Sequence, residues 1–329
     1  MQLASALQYA NPRLLDSCFV RSIRRGLMIY CRNCGSANLK ELGFIGQVAP
    51  FFLKRVWNLE LRIPPASNRL RLLARWLLAI PQRLFARVYG TGAFLEMQIC
   101  LDCSFVQTKH AISDDALGRL YSDYRSETYN RERIRYEPEY ASVANDVGAC
   151  NQEVETRAGG LTAWLAGKLE SGDDFSMLDF GGADGRCLPR IRGQKYVYEI
   201  SDVRPLEGIV RIASEAELAT YSYVQIAHVL EHVPEPLDLL KKVSKYVKPS
   251  QYLYIEVPQE LTDAEIAELK SGESRRRLLI HEHINVYCLS SISRLAEAAN
   301  LDIVAIDSTK VDLGWSTGTN IRALCRKRP

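Results

Sequence analysis

Only five histidines and four methionines occur in 329 residues, and most of the signals from which a function is usually read are absent. No run approaches the ~18–20 apolar residues a spanning helix needs, and Arg21, Arg24 and Arg25 interrupt the early apolar stretch, so neither a membrane span nor a secretory leader is expected. A formal charge of only +3 gives no general attraction to a polyanion. No internal repeat or low-complexity tract is evident. Without an export signal, the nine cysteines argue for metal ligation or plain burial over a disulfide framework, and for a cytoplasmic chain. At 47% hydrophobic and 25% charged residues the composition is that of an ordinary soluble protein, long enough for about two domains.

Two nucleotide signatures fail as well. Gly181-Gly182-Ala183-Asp184-Gly185 places its small residues at i, i+2 and i+4, and Arg186 occupies the i+5 position where a dinucleotide fingerprint requires glycine. No Gly-Lys-Ser/Thr completes a P-loop there. What the loop does have is a carboxylate on either side. Asp179 ends the strand before it, and Glu199 ends the next strand twenty residues further on, where a carboxylate can accept both hydroxyls of a ribose.

From Met177 onward the chain alternates. Strands are expected at 176–180, 195–200, 208–212, 222–227, 252–257, 301–307 and 319–325, with helices near 184–191, 236–247, 262–270 and 289–299. That order predicts an α/β fold with a doubly wound, mostly parallel seven-stranded sheet and an antiparallel edge. Four of the five histidines fall in two clusters beside strand ends, His228/His232 and His281/His283, where open α/β sheets place their chemistry.

The N-terminal half reads differently. Cys31 and Cys34, then Cys100 and Cys103, each enclose two residues, the spacing of zinc knuckles, and two such turns close a structural Zn2+ site. Sixty-five residues separate the pairs, against about 15–20 in a usual ribbon. A zinc-ribbon module over 31–110 therefore requires a basic helical insertion at 44–95, which carries eight Lys/Arg against the lone Glu60. Its segment 68–80 combines strong helix formers with arginines, suited to packing on its own domain or, with 50–90 as a whole, to lying on an anionic membrane surface. Residues 1–30 read as a lead-in. A helical linker or cap covers 111–170, with a Tyr/Arg-rich stretch at 120–133 and a break at Gly159-Gly160, before a domain over 171–329.

Together, Leu178-Asp179-Phe180-Gly181-Gly182-Ala183-Asp184-Gly185, Glu199, and Val224-Gln-Ile-Ala-His228-Val-Leu-Glu-His232 followed by Tyr252-Leu-Tyr-Ile-Glu-Val-Pro258 resemble the class I S-adenosylmethionine-dependent methyltransferases, a Rossmann-like family. The resemblance implies S-adenosylmethionine as cofactor, with Asp179, Gly181, Gly182, Ala183, Gly185, Glu199 and His228 around it. A cysteine module, a tyrosine-bearing helix, this core and then His281-Glu282-His283 resemble the sugar C-methyltransferases in particular. That implies His283 with Glu282 as the base, His232 at the substrate, and a saccharide or sugar-nucleotide acceptor methylated on carbon or oxygen. Enzymes of that type continue into a further domain that helps hold the nucleotide sugar, and the chain given ends after its last core strand. Tyr124 and Tyr129 would contact the donor or simply pack, and Arg275-Arg276-Arg277 would meet an acceptor phosphate or water. His110 is expected to be structural. Two other readings are a zinc-ribbon RNA methyltransferase and a non-catalytic protein of this fold; nucleic acid is disfavoured because no Asp/Asn-Pro-Pro-aromatic run ends the fourth strand and no basic groove interleaved with aromatics is evident. Oligomeric state is left open.

Overall fold

Successive residues of the central strands point to opposite faces, and both faces are covered. Leu178, Val224, Leu253 and Ile255 enter one core cluster, while Met177, Tyr223, Tyr252 and Tyr254 enter another on the reverse side. This is what period-two geometry produces when a sheet is buried on both sides. The computed structural model describes residues 30–58, 94–148, 150–169, 174–201, 203–274 and 276–328. Cys18, Arg275, the helix expected at 68–80 and the lead-in before Tyr30 lie outside the described residues.

In chain order, β1 (Leu39–Val48), the helix α1 (Pro50–Trp57), β2 (Phe94–Cys100) and β3 (Val106–Thr108) come first. Then follow α2 (Asp114–Tyr121), α3 (Glu127–Tyr136), and α4 (Asn151–Val154) joined to α5 (Gly160–Leu165) by a π-helical turn at Glu155–Gly159. The remainder is β4 (Ser176–Phe180), β5 (Gln194–Tyr198), β6 (Ile209–Ile212), β7 (Tyr221–Ala227), α6 (Pro236–Val243), β8 (Val247–Pro258), α7 (Asp263–Ser271), β9 (Leu278–Ile280), β10 (Asn285–Val286), α8 (Leu289–Ala298), β11 (Leu301–Asp312) and β12 (Thr317–Lys327).

The larger sheet has the order β11-β12-β8-β7-β4-β5-β6. β8, β7, β4, β5 and β6 pair in parallel, and β12 runs antiparallel to both its neighbours, as the alternation predicted. The strand order reverses at β4, so β4 and β7 splay their carboxyl ends around a crevice, the usual ligand position in such sheets.

The second sheet, β10-β3-β2-β1-β9, departs from the expected division of the chain. β1, β2 and β3 belong to the cysteine module, but β9 pairs parallel to β1 and β10 antiparallel to β3. Residues well past 171 thus complete the N-terminal sheet. The segment carrying His281, Glu282 and His283 is consequently strung between two strands of that sheet. Within the insertion, α1 buries Phe51, Phe52, Leu53 and Val56, and Arg55 pairs with Asp123 and Glu132, so 50–57 packs inward. No helix among the described residues is long and apolar enough to cross a membrane.

Two helical expectations need correction. The helix expected at 184–191 does not form: the chain between Phe180 and Gln194 consists of turns. Gly181, Ala183 and Gly185 all take positive φ, Asp184 binds the Arg186 amide and guanidinium, and Pro189 supplies no amide proton, so this short crossover is spent on bends. The stretch at 120–133 is split into α2 and α3 where Arg125 adopts φ 61° and Ser126 caps α3 by accepting from the Tyr129 amide.

Candidate functional site

The loop after β4 is held by its own backbone. Gly181 has φ +76°, and a Cβ there would come within 2.9 Å of Val229 Cγ2, while a Cβ on Gly182 would lie 2.1 Å from Asp179 Cγ. Larger residues are excluded at both positions. Glu199, just past β5, accepts from the Ala183 amide at 3.0 Å and from the Ser201 amide at 2.8 Å. One carboxylate therefore ties the loop to the next strand. Asp179 is 2% exposed. Burial pushes its carboxyl up to about 7, against the pull of the Gln225 amide and the Arg157 charge, with Glu199 and Asp184 adding to the rise. It can switch between neutral and charged near physiological pH when a cation arrives.

A histidine–carboxylate cluster lies at the carboxyl end of β7. His228 takes φ 55° at the strand end, and the short turn Leu230–His232 follows. His228 Nε2 is 3.0 Å from Glu256 Oε1 on β8, and its Nδ1 is 3.3 Å from Glu231 Oε1. Asn320 on β12 and Tyr254 also donate to Glu256. Burial works against that carboxylate's charge, but His228, Arg157 and Tyr254 hold it down at about 2. Among the expected catalytic residues, His232 and His283 meet: their ring centroids are 4.8 Å apart. His232 Nδ1 faces Tyr121 Oη at 2.8 Å and the Glu282 carbonyl at 3.2 Å. His283 Nδ1 faces Glu260 Oε1 at 2.6 Å. Burial lowers His232, opposed by the charge of Glu231. Burial also disfavours the charged form of His283, yet Glu260, Glu231 and Glu282 outweigh it and raise the ring to about 9; at neutral pH it carries its proton, so it accepts another only through its minor neutral form.

Glu282 points away from that pair. Its carboxylate accepts from Tyr129 at 2.7 Å, Tyr124 at 3.2 Å and Arg133 at 2.5 Å. Tyr124 and Tyr129 are accordingly spent on Glu282, with the Tyr129 ring edge-on to Phe51. His281 approaches Glu137 at 3.4 Å, and His110 binds Glu96 at 3.1 Å. Arg276 pairs with Glu265 and Arg277 stacks on Phe94. Four residues were not singled out from the sequence: Glu231, Glu256, Glu260 and Tyr121. Glu231, Glu256 and Tyr121 do stand inside stretches that the sequence marks, 228–232, 252–258 and 120–133, whereas Glu260 does not.

The four cysteines form a third group. All four Sγ atoms lie within 4.8 Å of one another, with Cys31 to Cys103 at 3.6 Å and Cys34 to Cys100 at 3.8 Å. Four Zn–S bonds of about 2.3 Å in a tetrahedron require S–S edges of about 3.8 Å, so the set fits zinc. Each knuckle closes alike: Gly35 donates to Cys31 O and Ser104 to Cys100 O, and both residues take positive φ, 76° and 64°.

Residues 147–306 match the family described as a methyltransferase domain. No curated protein matches the chain. Among solved structures, 1,6-didemethyltoxoflavin-N1-methyltransferase of Burkholderia thailandensis, with 1,6-didemethyltoxoflavin and S-adenosylhomocysteine bound, is 13% identical over 70% of this chain and 98% of its own, at TM-score 0.42. Magnesium protoporphyrin IX methyltransferase of Synechocystis PCC 6803 is 12% identical over 61% of this chain and 100% of its own, at 0.41. The N-methyltransferase NodS of Bradyrhizobium japonicum WM9 is 14% identical over 55% and 99%, at 0.36. At these scores the likenesses carry no weight of their own; the domain match and the strand order do.

Proposed function

We propose that this S-adenosylmethionine-dependent methyltransferase binds its donor across the loop after β4, with Glu199 on the ribose and Asp179 facing the cationic end, and methylates a hydroxylated acceptor of the saccharide class. The carrying observation is the single carboxylate of Glu199 holding the Ala183 and Ser201 amides at the crevice where the strand order reverses. Methyl transfer from a sulfonium is an in-line displacement, so orientation is the main demand on the protein. Gly181, Gly182, Ala183 and Gly185 let the donor approach backbone, and His228 sits at the adjoining strand end. Val229 packs against Gly181, which puts the turn bearing His232 next to the donor. The acceptor's reacting group lies against His232 and His283, and Glu282 keeps that pair in place through its own backbone and its tyrosine–arginine clasp. Support for a saccharide is the polar lining of imidazoles and carboxylates, together with the sequence resemblance. Zn2+ on Cys31, Cys34, Cys100 and Cys103 holds the N-terminal sheet together and takes no part in the transfer.

Calorimetric titration with S-adenosylmethionine and S-adenosylhomocysteine tests the donor site. Glu199→Ala should weaken binding by about 10–100-fold, the worth of roughly 1.5–3 kcal/mol for hydrogen bonds to a charged group. Unchanged affinity would place the donor elsewhere.

A further inference from the structure

We propose that Glu231, His232 and His283 form a divalent-cation site beside the donor crevice, separate from the cysteine cluster. One ligand atom from each of the three lies within 4.8 Å of the others. Two imidazoles and one carboxylate are donors that suit Mn2+, Fe2+ or Zn2+ and leave positions open for other oxygen ligands.

Glu231 is the reason to look for a cation there. Its residue is 0% exposed, and neither carboxylate oxygen has a hydrogen-bond partner. The nearest groups, His228 Nδ1 at 3.3 Å and His232 Nε2 at 3.7 Å, approach it without making a hydrogen bond. A buried carboxylate without a hydrogen bond depends for its charge on the positive groups around it, here His228 and His232, and a cation bound directly would hold it more firmly.

The imidazoles are also prepared for ligation. His232 has its Nδ1 against the Glu282 carbonyl and Tyr121 Oη, and His283 has its Nδ1 against Glu260. In both rings Nδ1 is engaged, so Nε2 is the nitrogen that turns to a metal, His283 giving up its Nε2 proton to water as the ion binds, the arrangement that ligating histidines ordinarily show. The two ligand-bearing segments are pinned to each other as well. The Ile284 amide donates to Glu231 O at 2.9 Å, and Asn285 Nδ2 donates to Leu230 O at 2.9 Å and Val233 O at 2.7 Å. The three side chains therefore meet on a rigid frame. Glu282 and His228 are not counted as ligands: the first is held by Tyr124, Tyr129 and Arg133, the second by Glu256.

The cation site stands on these residues alone. Its use rests on the proposed function: open positions would take a hydroxyl oxygen of the acceptor, which would lose its proton to solvent water more readily and take the methyl group as the donor's S–CH3 bond breaks, leaving S-adenosylhomocysteine. The two imidazoles then act as ligands.

The test uses the full chain, cleared of loosely held metal and titrated with Mn2+, with free Mn2+ followed by electron paramagnetic resonance. The same samples are titrated with S-adenosylhomocysteine, and bound Zn2+ is counted by elemental analysis after Zn2+ is added and the excess removed. One Mn2+ per chain should bind, or one Zn2+ beyond the cysteine equivalent, and raise the melting temperature. Glu231→Gln and His283→Asn should each weaken that binding at least tenfold. Glu231→Gln should melt no lower than the parent in the absence of added metal, which separates loss of a ligand from loss of the fold. Glu199→Ala should lose the donor and keep the cation. No Mn2+ bound and no Zn2+ beyond the cysteine equivalent, or undiminished binding in both ligand variants, would overturn the site while leaving the donor reading untouched.

Discussion

The donor loop and the histidine cluster sit side by side at one end of the larger sheet, yet they are built in opposite ways. Most of what shapes the loop after β4 comes from 179–201, two glycines, a carboxylate and three backbone amides, with Val229 closing on Gly181 from the turn after β7. The histidine cluster draws on α2, α3, the turn after β7, the end of β8 and the β9–β10 connection, and one of its bonds, Tyr129 to Glu282, joins residues 153 positions apart. The difference teaches where each half of the reaction gets its stability. On the proposed function, donor binding should depend chiefly on the larger sheet, whereas the acceptor side draws on both sheets.

The largest effect should come from the Zn2+ proposed on the four cysteines of the second sheet. Structural zinc is worth on the order of 10 kcal/mol of folding free energy in small modules. Because β9 and β10 belong to that sheet, its loss should release His283 from His232. A Cys100→Ser/Cys103→Ser variant, or protein treated with a strong chelator, should show rapid amide exchange in β1, β2 and β3 and methyl transfer at background, with S-adenosylhomocysteine still bound within a few-fold of the parent. If donor binding disappeared too, the two regions would be one cooperative unit and the contrast would fail. The cysteines do enter the same core cluster as β7 and β8, so the experiment is a fair one.

The same contrast decides what could be read in advance. The seven strands of the larger sheet were expected close to their observed places because each carries enough period-two pattern, or a long enough apolar run, to be seen. The loop after β4 was visible because its requirements are local. The absent helix at 184–191 shows the limit: small residues there signal bends as well as they signal a helix start. β9 has three residues and β10 two, too short for any period to register, so the sharing of a sheet between the two halves was invisible. Glu231 reads as an ordinary polar neighbour of His232. Its backbone carbonyl is held by the Ile284 amide, some fifty residues later, and no local pattern contains that.

Asp179 offers a way to sharpen the donor side through pH. Its carboxyl rises from about 3.8 to about 7 on folding, so between those values the folded chain binds more protons than the unfolded one. Stability then falls as pH rises. The contribution is intact below about 3.8 and lost above about 7, up to roughly 4 kcal/mol at 1.36 kcal/mol per unit. Asp179→Asn cannot titrate and should show a flatter stability profile from pH 4 to 7 in urea unfolding. Wild-type donor binding in the same window should release a proton, seen as a dependence of the calorimetric heat on buffer ionisation enthalpy. A mutant profile parallel to the parent's would mean the carboxyl is ionised throughout.

Glu282 gives the smallest of these effects and the sharpest test of the acceptor side. In Glu282→Gln, Tyr124, Tyr129 and Arg133 lose a common charged partner, while Arg133 keeps Glu137 at 3.1 Å. Breaking a buried ion pair costs about 3–5 kcal/mol when one charge is stranded, so the retained Glu137 contact should bring the loss to about 3 kcal/mol or less. The variant still presents the backbone carbonyl that faces His232 Nδ1. If the side chain acts by anchoring the β9–β10 connection, the variant should melt several degrees lower, bind S-adenosylhomocysteine normally, and lose kcat with acceptor KM little changed. If the side chain instead binds the acceptor directly, KM should rise with stability nearly intact, and the clasp formed by Tyr124, Tyr129 and Arg133 would have to open for the reaction to occur.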